Sequence, residues 1–188
     1  MRVIAGSVKG HKLTAPRGMA TRPTADRVRQ SIFDMLAFRC EPERVLDLFA
    51  GSGALGIEAL SRGAKRAVFV EKNPEALKAV AENLNKCGFT SAAQVQRSDF
   101  RSALRKLGSE GERFDLVFID PPYEGGVRDE ALAGIQPLLQ PGALVVVETA
   151  STEKAPVAPA GLSLELERKF GRTMVFLYRY GEHRDLSR

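Results

Sequence analysis

Leu46-Asp47-Leu48-Phe49-Ala50-Gly51-Ser52-Gly53-Ala54-Leu55-Gly56 reads as a buried strand that stops at a glycine turn and opens a helix. Gly51, Gly53 and Gly56 match the spacing G-x-G-x-x-G, and Glu71 stands at the tip of the next strand. Glycine lets the chain turn sharply and lets a ligand approach the backbone with no side chain in the way. An acid at the second strand end can accept hydrogen bonds from ribose hydroxyls. This pattern serves a dinucleotide or a nucleoside methyl donor equally, so the glycines alone do not separate the two.

Outward from this block the texture alternates. Strands are expected at Val45 to Phe49, Ala67 to Glu71, Ala92 to Arg97, Phe114 to Asp120 and Ala143 to Glu148. Helices are expected at Ala54 to Arg62, Pro74 to Lys86, Phe100 to Leu107 and Arg128 to Leu139. Such alternation predicts an α/β fold, a parallel sheet with helices on both faces. Leu162 to Phe170 and Thr173 to Tyr180 are strand-like runs joined by Gly171-Arg172, a hairpin signature. A mostly parallel sheet finished by an antiparallel C-terminal hairpin is the seven-stranded arrangement of Rossmann-like, class I methyltransferases.

Three features favour S-adenosylmethionine in the glycine crevice. Asp47 lies inside the strand before the loop, and a carboxylate there is costly to bury without a partner; the donor's ammonium group supplies one. Asp99-Phe100 follows the third strand, where an acid can read an adenine amine and an aromatic can cover the ring. The chain is too short for a separate substrate domain and shows no evident hydride-transfer acid. The expected cofactor contacts are Asp47, Phe49, Ala50, Gly51, Ser52, Gly53, Glu71, Lys72, Asp99 and Phe100.

Asp120-Pro121-Pro122-Tyr123 closes the apolar strand Leu116-Val117-Phe118-Ile119. Neither proline has an N–H, and each fixes its own φ, so the segment is stiff and presents carbonyls. An aryl amine is a poor nucleophile because its lone pair is delocalised into the ring. The Asp120 carboxylate and the Pro121 carbonyl can take both of its N–H groups and favour a more pyramidal nitrogen. Pro122 stiffens the turn and Tyr123 would stack on the base. Proximity and preorganised acceptors would supply most of the catalysis. Guanine and adenine amines both suit this chemistry, and a base in a stacked duplex must be flipped or unpaired.

The chain has 188 residues, 44% hydrophobic and 27% charged, which suits one globular domain with a short appendage. No apolar run approaches a membrane span and no signal peptide is evident, so a cytoplasmic protein is expected. Cys40, Cys87, His11 and His183 form no metal-ligand pattern, and no metal is expected. The net charge of +5 is uneven. Residues 1–40 carry eight Lys/Arg and two acids, whereas the remainder is close to neutral. Such an excess commonly tracks phosphates. Two short strand-like runs, Arg2 to Ala5 and His11 to Thr14, flank a Gly-containing loop. A helix follows, with Thr24 as its expected cap, Val28, Ile32, Phe33, Met35 and Leu36 inward, and Arg22, Arg27 and Arg29 at its start or outer side.

Arg22-Pro23-Thr24-Ala25-Asp26-Arg27-Val28-Arg29, the Leu46 to Gly63 block and Asp120 to Tyr123 together resemble the bacterial small-subunit rRNA guanine-N2 methyltransferases that act on guanine 966 in the usual 16S rRNA numbering. The resemblance runs roughly from Arg2 to Tyr180. It implies S-adenosylmethionine as donor and 16S rRNA within the small ribosomal subunit or its assembly intermediate as partner; a monomer is expected, although the sequence does not reveal oligomeric state. It divides the chain into an RNA-binding extension, residues 1–41, and a methyltransferase domain, residues 42–188. RNA contacts are then expected from Lys9, Lys12, Arg22, Thr24 and Arg29. Gln30 and Asp34 stand where relatives more often carry Glu and Asn. Adenine-N6 methylation of DNA or RNA, a nicotinamide-dependent oxidoreductase and a non-enzymatic RNA-binding module are the competing readings.

Overall fold

The computed structural model describes residues 1–16, 23–122 and 126–181. Their elements run α1 (Pro23–Leu36), β1 (Arg44–Asp47), α2 (Ala54–Ser61), β2 (Arg66–Glu71), α3 (Pro74–Cys87), β3 (Ala93–Arg97), α4 (Phe100–Ser109), β4 (Phe114–Ile119), α5 (Val127–Gly134), β5 (Leu139–Ala150), β6 (Leu162–Phe170) and β7 (Thr173–Tyr180). One sheet holds all seven strands in the order β3-β2-β1-β4-β5-β7-β6. The first five are parallel, and β7 pairs antiparallel with both β5 and β6. The expected class I methyltransferase arrangement is therefore present.

Strand residues alternate between two cores, as a two-sided sheet requires. Val45, Phe69, Phe118 and Val146 face a core shared with Val3, Leu13 and the inner residues of α1, α2 and α3. Leu46, Val70, Val117, Ile119 and Val147 face the core closed by α4 and α5. The strand order reverses direction between β1 and β4, and open parallel sheets bind ligands at the carboxyl ends beside such a switch point.

Several boundaries differ from the sequence reading. The helix expected to Leu139 stops at Gly134, and a 3-10 turn, Gln136–Leu138, follows. Pro137 cannot supply the N–H that would continue an α-helix. β5 starts early, pairing Leu139 with Phe114 before an irregularity that resumes the register at Leu116. α1 begins at Pro23, so Thr24 lies in its first turn rather than capping it; proline suits that opening position because its missing N–H is unneeded there.

The N-terminal hairpin shrinks to a single antiparallel bridge, Arg2 to Lys12. The reason lies in where its backbone groups go. Ile4 and Ala5 donate to the Glu58 carboxylate at 2.8 and 3.0 Å instead of to a partner strand. Ser7 donates to the Ser61 carbonyl and Val8 to the Ser61 hydroxyl. Thr14 is held from both sides by Asn83, which also donates to the Ser52 carbonyl at 2.9 Å. Residues 1–16 are thus fastened to α2, α3 and the glycine loop. Among the described residues, no helix is long and apolar enough to cross a membrane.

Candidate active site

The glycine turn is built as its sequence suggests. Gly53 caps α2 at φ 78°, a left-handed conformation that strains any residue with a Cβ. Gly56 has an ordinary φ, and what it supplies is room. A Cβ there would run into the Phe69 ring, so glycine is what lets α2 lie against β2. Ala50 donates to the Val70 carbonyl and Leu48 to the Phe118 carbonyl, which fixes the loop between β2 and β4.

A row of carboxyl groups stands along the carboxyl edge of the parallel strands. Glu71 ends β2, Asp47 ends β1 and Asp120 follows β4. Glu71 accepts from the Gly51 N–H at 2.9 Å through one oxygen, and from the Lys72 and Asn73 N–H groups at 2.8 Å through the other. It therefore ties the loop to the β2 tip. Asp47 is 1% exposed, and one oxygen accepts the Gly56 N–H at 3.1 Å. Burial raises its pKa to about 7; the Gly56 bond pulls it down, while Asp120 and Glu71 add to the rise. A cation placed beside it would favour the charged form, which is what an ammonium-bearing ligand offers.

Asp120 lies at the surface of the crevice, where water still reaches it. The surrounding protein nonetheless desolvates it and raises its pKa to about 6. Pro121 is buried and Pro122 exposed. Tyr123 and Arg22 lie outside the described residues, as does the side chain of Thr24.

The adenine side needs a correction. Asp99 caps α4 by accepting the Arg101 N–H at 3.0 Å. Phe100 is a core residue, 5% exposed, packed on Phe49 at 5.3 Å between centroids and covered by the Arg101 guanidinium at 4.5 Å. Phe49 is half-buried and is the ring of the pair with more free surface. A surface hollow of about 360 Å3 lies over Phe100, Arg101 and Leu104. Another, about 540 Å3, lies under α1 beside Phe33 and Cys40. Neither is lined by Asp47 or Asp120.

Arg29 also needs correcting. It points inward, 4% exposed, donating to the Arg2 carbonyl at 2.5 Å and to Asp26 at 3.2 Å, with Glu58 at 3.8 Å. Its inward position follows from the fully buried Glu58, which needs cations. Lys9 and Lys12 are exposed. Sequence reasoning missed Glu58, Ser61 and Asn83, whose polar side chains lie on buried helix faces. It also gave no role to Glu148, although an acid ending an apolar strand is the signal that picked out Asp47.

The family model described as conserved hypothetical protein 95 matches residues 1–179. "Putative rRNA methyltransferase YlbH" of Bacillus subtilis is 39% identical over 181 residues, covering 95% of this chain and 98% of that protein. Ribosomal RNA small subunit methyltransferase D of Escherichia coli is 37% identical over 180 residues, covering 95% and 89%. The solved Escherichia coli structure named "Putative methyltransferase yhhF" superposes with a TM-score of 0.83 at 32% identity, covering 97% of this chain and 99% of that one. The chain belongs to the conserved hypothetical protein 95 family, and it is similar to ribosomal RNA small subunit methyltransferase D along almost its full length.

Proposed function

We propose that this protein transfers a methyl group from S-adenosylmethionine to the exocyclic N2 amine of a guanine in 16S rRNA, at the position equivalent to guanine 966. The observation that carries the reading is the adjacency of Asp47 and Asp120. They end neighbouring parallel strands, β1 and β4, with the glycine turn opening directly above them. The residues assigned to the donor and those assigned to the amine then lie on adjacent strand ends.

When bound, S-adenosylmethionine supplies an electrophilic methyl carbon on a sulfonium. The residues that fit it are Asp47 for the ammonium group, the Gly51-Ser52-Gly53 backbone for close approach and Glu71 for ribose hydroxyls, flanked by Phe49, Ala50 and Lys72. Asp99, which caps α4 through one oxygen and has the Arg101 guanidinium 3.7 Å from the other, is assigned the adenine amine. Asp120 and the Pro121 carbonyl accept the two N–H groups of the target amine, and Pro122 keeps the carbonyls aimed. Tyr123 is assigned the stacking face. The nitrogen's proton becomes acidic only once its new bond forms, and the Asp120 carboxylate is assigned to take it. Residues 1–41 are assigned RNA docking, led by Lys9, Lys12 and Arg22, and residues 42–188 the transfer chemistry. Arg29 acts in this scheme by holding the appendage together.

Incubation of the purified protein with labelled donor and either small ribosomal subunits, free rRNA or DNA, followed by nucleoside analysis, tests the reading. Label in N2-methylguanosine is expected. Label in methyladenosine, or binding of NAD with no response to S-adenosylhomocysteine, would overturn it.

A further inference from the structure

A second carboxyl group faces the target turn. β4 and β5 are in register with Ile119 opposite Val147, which sets Glu148 beside Asp120 one position on. The alternation fixes its side. Asp47, Asp120 and Glu148 each come two residues after a side chain of one core, namely Val45, Phe118 and Val146, so all three share that face of the sheet. Glu148 is half-buried. Among the described residues, no hydrogen-bond donor is spent on Asp120 or Glu148, whereas Asp47 and Glu71 are both bonded to the glycine turn. Burial raises the Glu148 pKa, Asp120 and Asp47 raise it further, and Arg29 opposes them from α1. Arg29 itself is held by Asp26 at 3.2 Å and Glu58 at 3.8 Å, and acts on Glu148 only through its charge.

Resting on the guanine reading above, we propose that Glu148 is a specificity-determining residue that accepts the N1–H of the target guanine while Asp120 holds its N2 amine. Guanine presents N1–H and N2–H as adjacent donors. Two acceptors on neighbouring strand ends match that edge. Adenine sets an N1 lone pair beside its amine, so an acceptor at the Glu148 position meets an acceptor. Buried or half-buried groups left without a partner are what make such discrimination steep. The row of acids along the sheet edge thereby divides in two: Glu71 and Asp47 toward the donor, Asp120 and Glu148 toward the base.

The test compares rRNA substrates carrying guanine or 2-aminopurine at the target position. 2-Aminopurine keeps the amine and replaces N1–H with a lone pair. Wild type should prefer guanine by tenfold or more in kcat/KM. Glu148→Ala should lose most of its guanine activity while changing 2-aminopurine little. Glu148→Gln keeps an acceptor oxygen for N1–H and adds an amide that can donate to that lone pair, so its preference should fall between those of wild type and Glu148→Ala. Calorimetric S-adenosylhomocysteine binding should be unchanged in both variants. A purely structural role would lower both substrates equally; an unchanged guanine-to-2-aminopurine ratio in the folded Gln variant overturns the proposal. If wild type methylates no guanine at all, it is the proposed function that has failed.

Discussion

Asp120 and Asp47 carry opposite instructions about charge. In the proposed reaction Asp120 accepts hydrogen bonds from an amine, which its charged form does best. With its pKa raised to about 6, turnover should fall as pH drops through that value. Asp120→Ala should reduce turnover at least a hundredfold while S-adenosylhomocysteine affinity stays within a few fold, read by steady-state kinetics beside calorimetry. Asp47 is legible in the same way for stability. Its folded-state pKa of about 7 lies above the ordinary value of 3.8, so its contribution is fully present below that ordinary value and is lost as pH rises through 7. Asp47→Asn can keep the Gly56 bond and removes the penalty of a buried charge. Urea unfolding should show it more stable than wild type by about 1–4 kcal/mol at pH 8, with the gain shrinking toward pH 4. The same variant should bind S-adenosylhomocysteine at least tenfold more weakly. Both aspartates could be read from sequence because each interrupts an apolar strand at its end. Arg29 could not: eight basic residues in the first 40 suggest a solvated face, and only the buried Glu58 reveals that one of them turns inward.

The elements that hold the appendage depend on a few buried polar groups. Glu58 serves two backbone N–H groups and the Arg62 guanidinium, with Arg29 close by. Removing it leaves the Ile4 and Ala5 N–H groups without their acceptor and takes a carboxylate from Arg62 and Arg29, a loss on the order of 3 kcal/mol. Glu58→Ala should therefore lower the urea midpoint strongly, with Arg29 and Arg62 losing protection together. If its unfolding curve overlays that of wild type, the latch is not at Glu58. Strands, turns and the fingerprint helix are readable because period and glycine placement are local properties. The N-terminal strands are not, because their N–H groups bond across 53 or 54 residues to α2, and no local pattern announces that. The end of α5 escapes for a subtler reason, since Pro137 lies inside an apolar pattern that continues beyond it.

At the scale of the molecule, charge and chemistry are segregated. The basic excess belongs to residues 1–40, and acids line the carboxyl edge of the parallel strands, where the proposed reaction is placed. A negatively charged substrate is then drawn to the appendage, while the crevice favours donor-rich groups. Exchanging Lys9 and Lys12 for Glu should weaken rRNA binding and flatten the slope of log affinity against log salt by about 0.7 for each phosphate no longer neutralised, with S-adenosylhomocysteine binding unaffected. Constant affinity across salt would place the docking surface elsewhere. The central claim is that one crevice delivers a methyl group to one guanine amine. Mass mapping of small-subunit rRNA from cells with and without this protein tests it most directly. The account predicts that a single N2-methylguanosine disappears in the absence of the chain, returns with wild type and stays missing with Asp120→Ala. An rRNA methylation map that is identical in all three would contradict it.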